Sequence, residues 1–549
     1  MKSKLVLNLL MLVMAVPIAL GSFFLVRGAL ADQPAALQAP KQRHIAFNSS
    51  IADWPEFHND VLRDGSQSTD TQLSKANANA LVPVTGSIYT TGGEIMASPA
   101  VYHGVLYYAV NTRVTSGTTQ VPFSTLYAAD VSTGQLLWST PFPLCAKMTK
   151  TDYTFSTPAV TTGMVNGVAT TEIFIGWGDI SRGCAYDFNG ADGSLIWQYA
   201  TTGPTNASPA IFPTNNGSIV IYGENANQIH AFSVNYTGTL GARSKQLWSY
   251  NNSTDSPVPP GTAQYCQAPG ESCGDAVFGS PAEGVVSVNG TSHHYIYFPI
   301  GSSFTNRAGR LDAVDADTLV SGHPKLAWAF WDPNPAQDND FITVTVLNNA
   351  SGFATRVFTG MHTGHEFGLD AVTGQEYFDF NAASFAGNRQ TFIHSTGAIV
   401  TVNGTTELIF GAGCNPSRDY KSCVGGDSGH VFAIDALSNA SAGTLLWESK
   451  DYGGDIVSSP AVVNSGSNAV VYIMGPWYPK NTLSRGDLLA FDPANGTVLA
   501  DYAVYNHAYG SISSPAIYGN TIFVSEGYSI YTWPPTPGGG LAAFQCTSC

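Results

Sequence analysis

The chain has 549 residues, of which 44% are hydrophobic and 11% aromatic but only 11% charged, and 39 acidic side chains outnumber 23 Lys plus Arg for a formal charge of −16. The length exceeds one ordinary core and calls for several domains or one repetitive architecture, and the negative balance argues against nucleic acid as a partner. Sparse basic residues also mean mild self-repulsion in strong acid, where carboxylates are neutral, although a secreted protein of neutral medium that is rich in Ser, Thr, Asn and Gly fits the composition equally well.

At the N-terminus Lys2 and Lys4 precede the apolar run Leu5 to Val26 and the small residues around Ala29-Leu30-Ala31. This reads as a signal peptide over residues 1–31, with an uncleaved membrane anchor as the competing reading because the run is as long as a membrane span. Either places the rest outside the cytoplasm, as an extracellular, periplasmic or cell-surface protein. A lead-in follows over 32–80, and the repetitive region fills 81–549.

Ser/Thr-Pro-Ala opens apolar runs at Ser98, Thr157, Ser208, Ser280, Ser459 and Ser514. After each comes a short alternating strand, a Gly or Asn turn and a second strand, the signature of antiparallel pairs. A stereotyped turn then closes the unit, clearest in Asp130-Val131-Ser132-Thr133-Gly134 followed by Trp138, with relatives at Asp192-Gly193, Asp370 to Gly374, Asp435 to Gly443 and Asp492 to Gly496. Asp bonds the turn backbone and Gly takes positive φ, so the pair fixes a tight hairpin. The tryptophans after these turns, with Trp248 and Trp328, are expected to pack between neighbouring units. Two further starts, near Phe341-Ile342-Thr343-Val344 and Ser395-Thr396-Gly397-Ala398, lack the proline. The eight starts predict an all-β fold, an eight-bladed β-propeller of four-stranded antiparallel blades. The last unit is short, and the segment Val82 to Thr91 is expected to supply its missing strand.

Eight cysteines, at 145, 184, 266, 273, 414, 423, 546 and 549, suit disulfides in an exported chain; Cys266/Cys273, Cys414/Cys423 and Cys546/Cys549 are close enough to clip loops, but spacing leaves connectivity open. Asn-x-Ser/Thr sequons such as Asn48, Asn206, Asn289 and Asn495 fit either a glycosylated surface or Asn-rich turns.

The Asp-x-x-x-Gly-x-x-x-Trp repeat with Ser-Pro-Ala starts resembles the pyrroloquinoline-quinone propeller repeat over roughly residues 54–544, and Trp54-Pro55-Glu56-Phe57-His58-Asn59-Asp60 with Arg63-Asp64-Gly65 resembles the lead-in of such proteins. In the quinoprotein alcohol dehydrogenases two adjacent cysteines sit above the cofactor, and this chain has no Cys-Cys pair. Where that family has a Gly-Asn calcium ligand the sequence reads Pro299-Ile300-Gly301-Ser302-Ser303; Asp179 precedes Arg182-Gly183 in place of a Glu; and the basic quinone contact falls near His362-Thr363-Gly364. The expectation is therefore a propeller without cofactor, with a quinone-dependent dehydrogenase using pyrroloquinoline quinone and calcium, or a non-catalytic envelope scaffold, as alternatives.

Among quinone-free members of this group the chain is most similar to the tetrathionate hydrolases of acidophilic sulfur oxidisers: exported, of like length and sparsely charged. The resemblance implies a small anionic sulfur substrate. The loop from Asp332 to Asp340 resembles the one carrying the dehydrogenase catalytic Asp, which nominates Asp338 as general acid with Asp340 and Asp332 behind it. Sulfonates stay ionised in acid and need cationic or N–H donors, for which Arg182, Arg310, His362 and His365 are the candidates. Trp477 and Tyr478 are candidate channel-mouth aromatics. Membrane anchoring through the N-terminus and a homodimer remain open.

Overall fold

The structure, a computed structural model, describes residues 51–549 except 69–71, 85–88, 91–92, 117–118, 146–152, 179–181, 215–216, 227, 253–276, 278, 302–308, 334–339, 387–390, 415–427, 438–440, 477–486, 505–511 and 526–539. Asp338, Asp179, Trp477, Tyr478, Cys266, Cys273, Cys423 and the N-terminal segment lie outside the described residues.

Eight antiparallel sheets follow one another along the chain, and we number them I to VIII as blades. Their first strands are Ala100–Tyr102, Ala159–Val165, Ala210–Thr214, Ala282–Val288, Thr345–Asn348, Ala398–Val402, Ala461–Val463 and Ala516–Tyr518. Blade IV shows the common pattern: Ala282–Val288, Thr291–Ile300, Arg310–Val320 and His323–Trp331 pair in sequence order. The eight-bladed propeller expected from the repeat is thus the observed fold. Blade VIII takes its fourth strand from the other end of the chain, Leu81–Pro83 pairing with Gly540–Cys546, and Tyr89–Thr90 adds a second contact to that strand. The ring closes where the short last repeat required it.

The recurrent turn performs two tasks at once. Asp130 Oδ1 accepts from the Thr133 N–H at 2.9 Å and from the Ser132 hydroxyl at 2.6 Å, and Asp370 Oδ1 repeats the arrangement with Thr373. Gly193, Gly374 and Gly496 take φ of +71°, +71° and +69°. Each also lies under an aromatic ring of the preceding blade: an added Cβ would come within 2.5 Å of Trp138, 2.6 Å of Trp328 and 2.5 Å of Trp447 respectively. The indoles of Trp138 and Trp328 donate to the Gly190 and Ala371 carbonyls at 2.9 and 3.1 Å. The tryptophans therefore join blades, as the repeat predicted.

A belt of hydroxyls links the blade starts. The backbone N–H of Ser98 donates to the Thr157 hydroxyl, Thr157 to Ser208 and Ser208 to Ser280, at 3.0–3.1 Å; Thr396 donates to Ser459, Ser459 to Ser514 and Ser514 back to Ser98, at 2.8–2.9 Å. In the proline-less blade V, the Thr343 hydroxyl instead accepts from the Gly360 N–H at 2.7 Å.

The lead-in runs against the first strands rather than standing apart from the ring. Val101 exchanges two backbone bonds with Trp54, and the N–H groups of Val160, Glu283, Val346, Ile399 and Val462 donate to the carbonyls of Pro55, Val61, Leu62, Asp64 and Gly65 at 2.8–2.9 Å. At blade III the Glu56 carboxylate takes the carbonyl's place, 3.4 Å from the Ile211 N–H. Arg63, fully enclosed, donates to the carbonyls of Pro209 and Pro281 at 2.8 and 3.0 Å and to Glu56 at 3.1 Å. Both ring nitrogens of His58 meet carbonyls, of Arg63 at 2.6 Å and Pro460 at 2.7 Å. Seven blades are thereby tied to one short segment.

Enclosed carboxyls recur. Desolvation, only partly offset by Arg63, pushes Glu56 up to about 7. It also pushes up Glu172, beside Asp187, and Glu407, each to about 7. A carboxyl raised in the folded state leaves stability intact below its unfolded value near 4 and removes it as pH climbs through the folded value. His58, pulled down by enclosure to about 4, acts oppositely between pH 6.5 and 4, so the window above 6.5 belongs to the carboxyls. The protein should melt at lower temperature at pH 8 than at pH 5, and Glu172→Gln should raise the pH 8 midpoint by roughly 2 °C while leaving that at pH 4 unchanged. Calorimetry at the three pH values checks this; a Glu172→Gln curve parallel to wild type refutes it. Gly374→Ala, strained in φ and driven into Trp328, should cost about 2–4 kcal/mol in denaturant unfolding.

Candidate functional site

The turns that join first to second strands, and third to fourth strands in blades I to VII, lie at one end of the ring, and the links between second and third strands, with the approaches to each first strand, lie at the other. First strands converge on the axis, so residues just before them surround the centre of that second end, called here the mouth.

Blades V, VI and VII bring four titratable groups into one row there. Asp340, before blade V, accepts the backbone N–H of His362 on its carbonyl at 3.1 Å and places its Oδ2 3.8 Å from His362 Nδ1. The His362 ring meets the ring of His394, before blade VI, edge-on with centroids 4.6 Å apart. His394 Nδ1 is 3.0 Å from Oδ2 of Asp455, before blade VII, whose side chain is fully enclosed. The His362 side chain is the most accessible of the four, at 18%. Phe392 packs edge-on against His362, its ring centroid 5.7 Å away.

A tight turn holds His362 and His365 together: the Met361 N–H donates to the His365 carbonyl and the Gly364 N–H to that of Met361, both at 3.0 Å, with Gly364 at φ +82°. His365 Nδ1 lies 2.6 Å from Asp379 Oδ1, and its Nε2 lies 3.2 Å from the Asn381 amide. The bond to Asp379 lifts the His365 pKa despite partial burial, and the charge of Asp332 adds to the lift. Asp332 is buried at the end of blade IV's last strand, its N–H 3.2 Å from the Gly309 carbonyl.

Arg310 begins blade IV's third strand and is wholly enclosed, with its Nε 2.9 Å from Asp312 Oδ1 and its guanidinium carbon 4.9 Å from the Trp331 ring centroid. Arg182 sits exposed in the mouth link of blade II. Of the residues nominated from sequence, the structure gathers Asp332, Asp340, His362 and His365 on blades IV and V, puts Arg310 beneath the same edge and leaves Arg182 on another blade. Asp338 is outside the described residues. His394 and Asp455 were missed, and the signal for them was positional: each stands a few residues upstream of a blade start, where a side chain faces the axis.

Two disulfides are described. Cys145–Cys184 joins the end of blade I to the third strand of blade II, and Cys546–Cys549 clips the C-terminus; Cys414 is bonded as well. The Cys145–Cys184 pairing is not among the close pairs that spacing suggested.

Among the described residues, the carboxyls at the mouth are already engaged in ways that do not suit a calcium–quinone pair. Asp340 and Asp455 are turned to imidazoles, and Asp312 is held by Arg310 and by the Tyr250 hydroxyl at 3.0 Å. Among the described residues the one clustered set of three candidate metal ligands, His293, Asp315 and Asp317, lies at the opposite end of blade IV.

Residues 59–257 match the sequence family described as outer membrane protein assembly factor BamB, with its PQQ-like repeat. No curated protein matches the chain significantly. Among solved structures, a europium-containing methanol dehydrogenase superposes with a TM-score of 0.61 at 13% identity, covering 90% of this chain and 98% of that one. The quinohaemoprotein alcohol dehydrogenase of Comamonas testosteroni gives 0.58 at 14%, covering 90% and 80%. Alcohol dehydrogenase ADHIIG of Pseudomonas putida HK5 gives 0.57 at 14%, with the same coverage. These likenesses establish a PQQ-like propeller fold and carry no activity across.

Removing the partner that raises His365 should be visible directly. Asp379→Asn should lower the pH at which His365 charges, read by deuterium exchange at its ring carbon; an unmoved midpoint would show that Asp379 does not set it.

Proposed function

We propose that the protein is an exported tetrathionate hydrolase that works in acid. The observation that supports this best is the row Asp340–His362–His394–Asp455: two imidazoles side by side, each backed by a carboxyl, on a chain otherwise sparse in cations. In acid both imidazoles carry charge and donate from both nitrogens, which suits a substrate that keeps two sulfonates ionised. The raised carboxyls of the interior fit the same medium, and the disulfides fit export.

The chemistry balances without a redox partner. A water oxygen bonds to one sulfonate sulfur and the adjoining sulfur–sulfur bond breaks, so sulfate leaves on one side and a sulfane-sulfur thiosulfate chain on the other. That chain sheds one sulfur atom to give thiosulfate, and two protons are released overall. His362 and His394 hold the anionic end and supply a proton to the departing sulfur, and Asp340, at the edge of the row, receives a proton from water.

Purified protein mixed with tetrathionate at pH 1–4 should release thiosulfate. Asp340→Asn and His362→Ala should each lower kcat by about 10²–10⁴-fold. No release above the uncatalysed level would end the enzyme reading and favour a non-catalytic envelope scaffold; the matching family is described as an outer membrane protein assembly factor.

A further inference from the structure

Blades III and IV meet at the mouth around polar groups with several bonding positions unmet among the described residues. Arg310 Nη1, the Trp331 indole nitrogen and both polar atoms of the Asn252 amide are enclosed and lack a hydrogen-bond partner. Arg310 and Asn252 are 0% and 1% exposed. They form one group, because Arg310 Nη2 donates to the Asn252 carbonyl and the guanidinium lies over the Trp331 ring. Native interiors satisfy nearly all such donors, so three unmade donor groups at one corner call for a ligand.

We propose that Arg310, Asn252 and Trp331 form an oxyanion subsite for a sulfate or sulfonate group. Guanidinium, amide and indole N–H groups donate without accepting, apart from the amide oxygen, and so select an acceptor-rich anion. The charged neighbours decide when it fills. Asp312, paired with Arg310 and bonded by Tyr250, neutralises the guanidinium at neutral pH, and Asp332 stands next to Trp331. Desolvation raises Asp312 despite Arg310. Acid therefore discharges Asp312 and leaves Arg310 with an uncompensated charge, which an anion then balances.

The inference rests on the acid-hydrolase reading only for its choice between substrate and product: a sulfonate end and free sulfate share this oxyanion chemistry. The intact protein is titrated with sodium sulfate and separately with methanesulfonate, at pH 3 and pH 7 and constant ionic strength set with chloride, following tryptophan fluorescence and heat. Saturable binding is expected at pH 3 and not at pH 7. Stronger binding of methanesulfonate marks the site as a substrate subsite, and stronger binding of sulfate marks it as a product subsite.

Trp331→Phe keeps the ring beneath the guanidinium but loses the N–H, and Asn252→Ala loses the amide; each should weaken binding about tenfold. Asp312→Asn, which imitates the discharged acid, should extend binding to pH 7, a gain that misfolding cannot produce. Wild-type affinity in Trp331→Phe and Asn252→Ala, or no binding by Asp312→Asn at pH 7, overturns the subsite. Anion binding that follows these variants in a protein releasing no thiosulfate removes the hydrolase reading and leaves the subsite standing. Thiosulfate release that accompanies variant-insensitive binding does the reverse.

Discussion

A ring of radial sheets leaves the first strand of every blade with its outer neighbour paired and its inner edge bare, its free N–H groups facing the axis. The lead-in resolves this. Between Trp54 and Gly65 it presents carbonyls, and at one position a carboxylate, to the same N–H group of blade after blade. Edge strands are ordinarily protected by charge, twist or cover; here the cover is a single turn-rich segment with Arg63 at its centre. The tight backbone at His58, Asn59 and Arg63, with φ of 58°, 79° and 57°, is the cost of facing so many blades in so few residues.

The fold was legible because its two repeated devices are local. An Asp that bonds its own turn and a Gly that admits both positive φ and a neighbour's indole are visible at fixed spacing, and the need for a closing strand followed from the short eighth repeat. The site was less legible because it is assembled across blades. Asp340, His362 and His365 were reachable from the loop resemblance, but His394 and Asp455 come from two other blades and show only as polar residues shortly before a blade start, a signal too general to single them out. Arg310 was nominated as an anion contact, but its full enclosure and its acidic partner two positions along its own strand had no sequence signal. The lead-in's seven-blade engagement also had no sequence signal, since it is made almost wholly by backbone atoms.

Charge economy connects these parts. The interior holds carboxyls at Glu56, Glu172, Asp187 and Glu407 that desolvation favours in the neutral form, and the mouth holds imidazoles that acid turns into cations. Lowering the pH thus relieves the interior and charges the mouth in one movement. A chain with few lysines and arginines pays little in mutual repulsion for this arrangement.

Closure by Leu81–Pro83 against Gly540–Cys546 also dictates the order in which the molecule can be made. The ribosome delivers one part of the last sheet before all the other blades and the rest after them, so no nascent chain lacking Gly540–Cys546 can complete the circle. Until both strands are present the blades form an open arc, and only their meeting turns that arc into a ring.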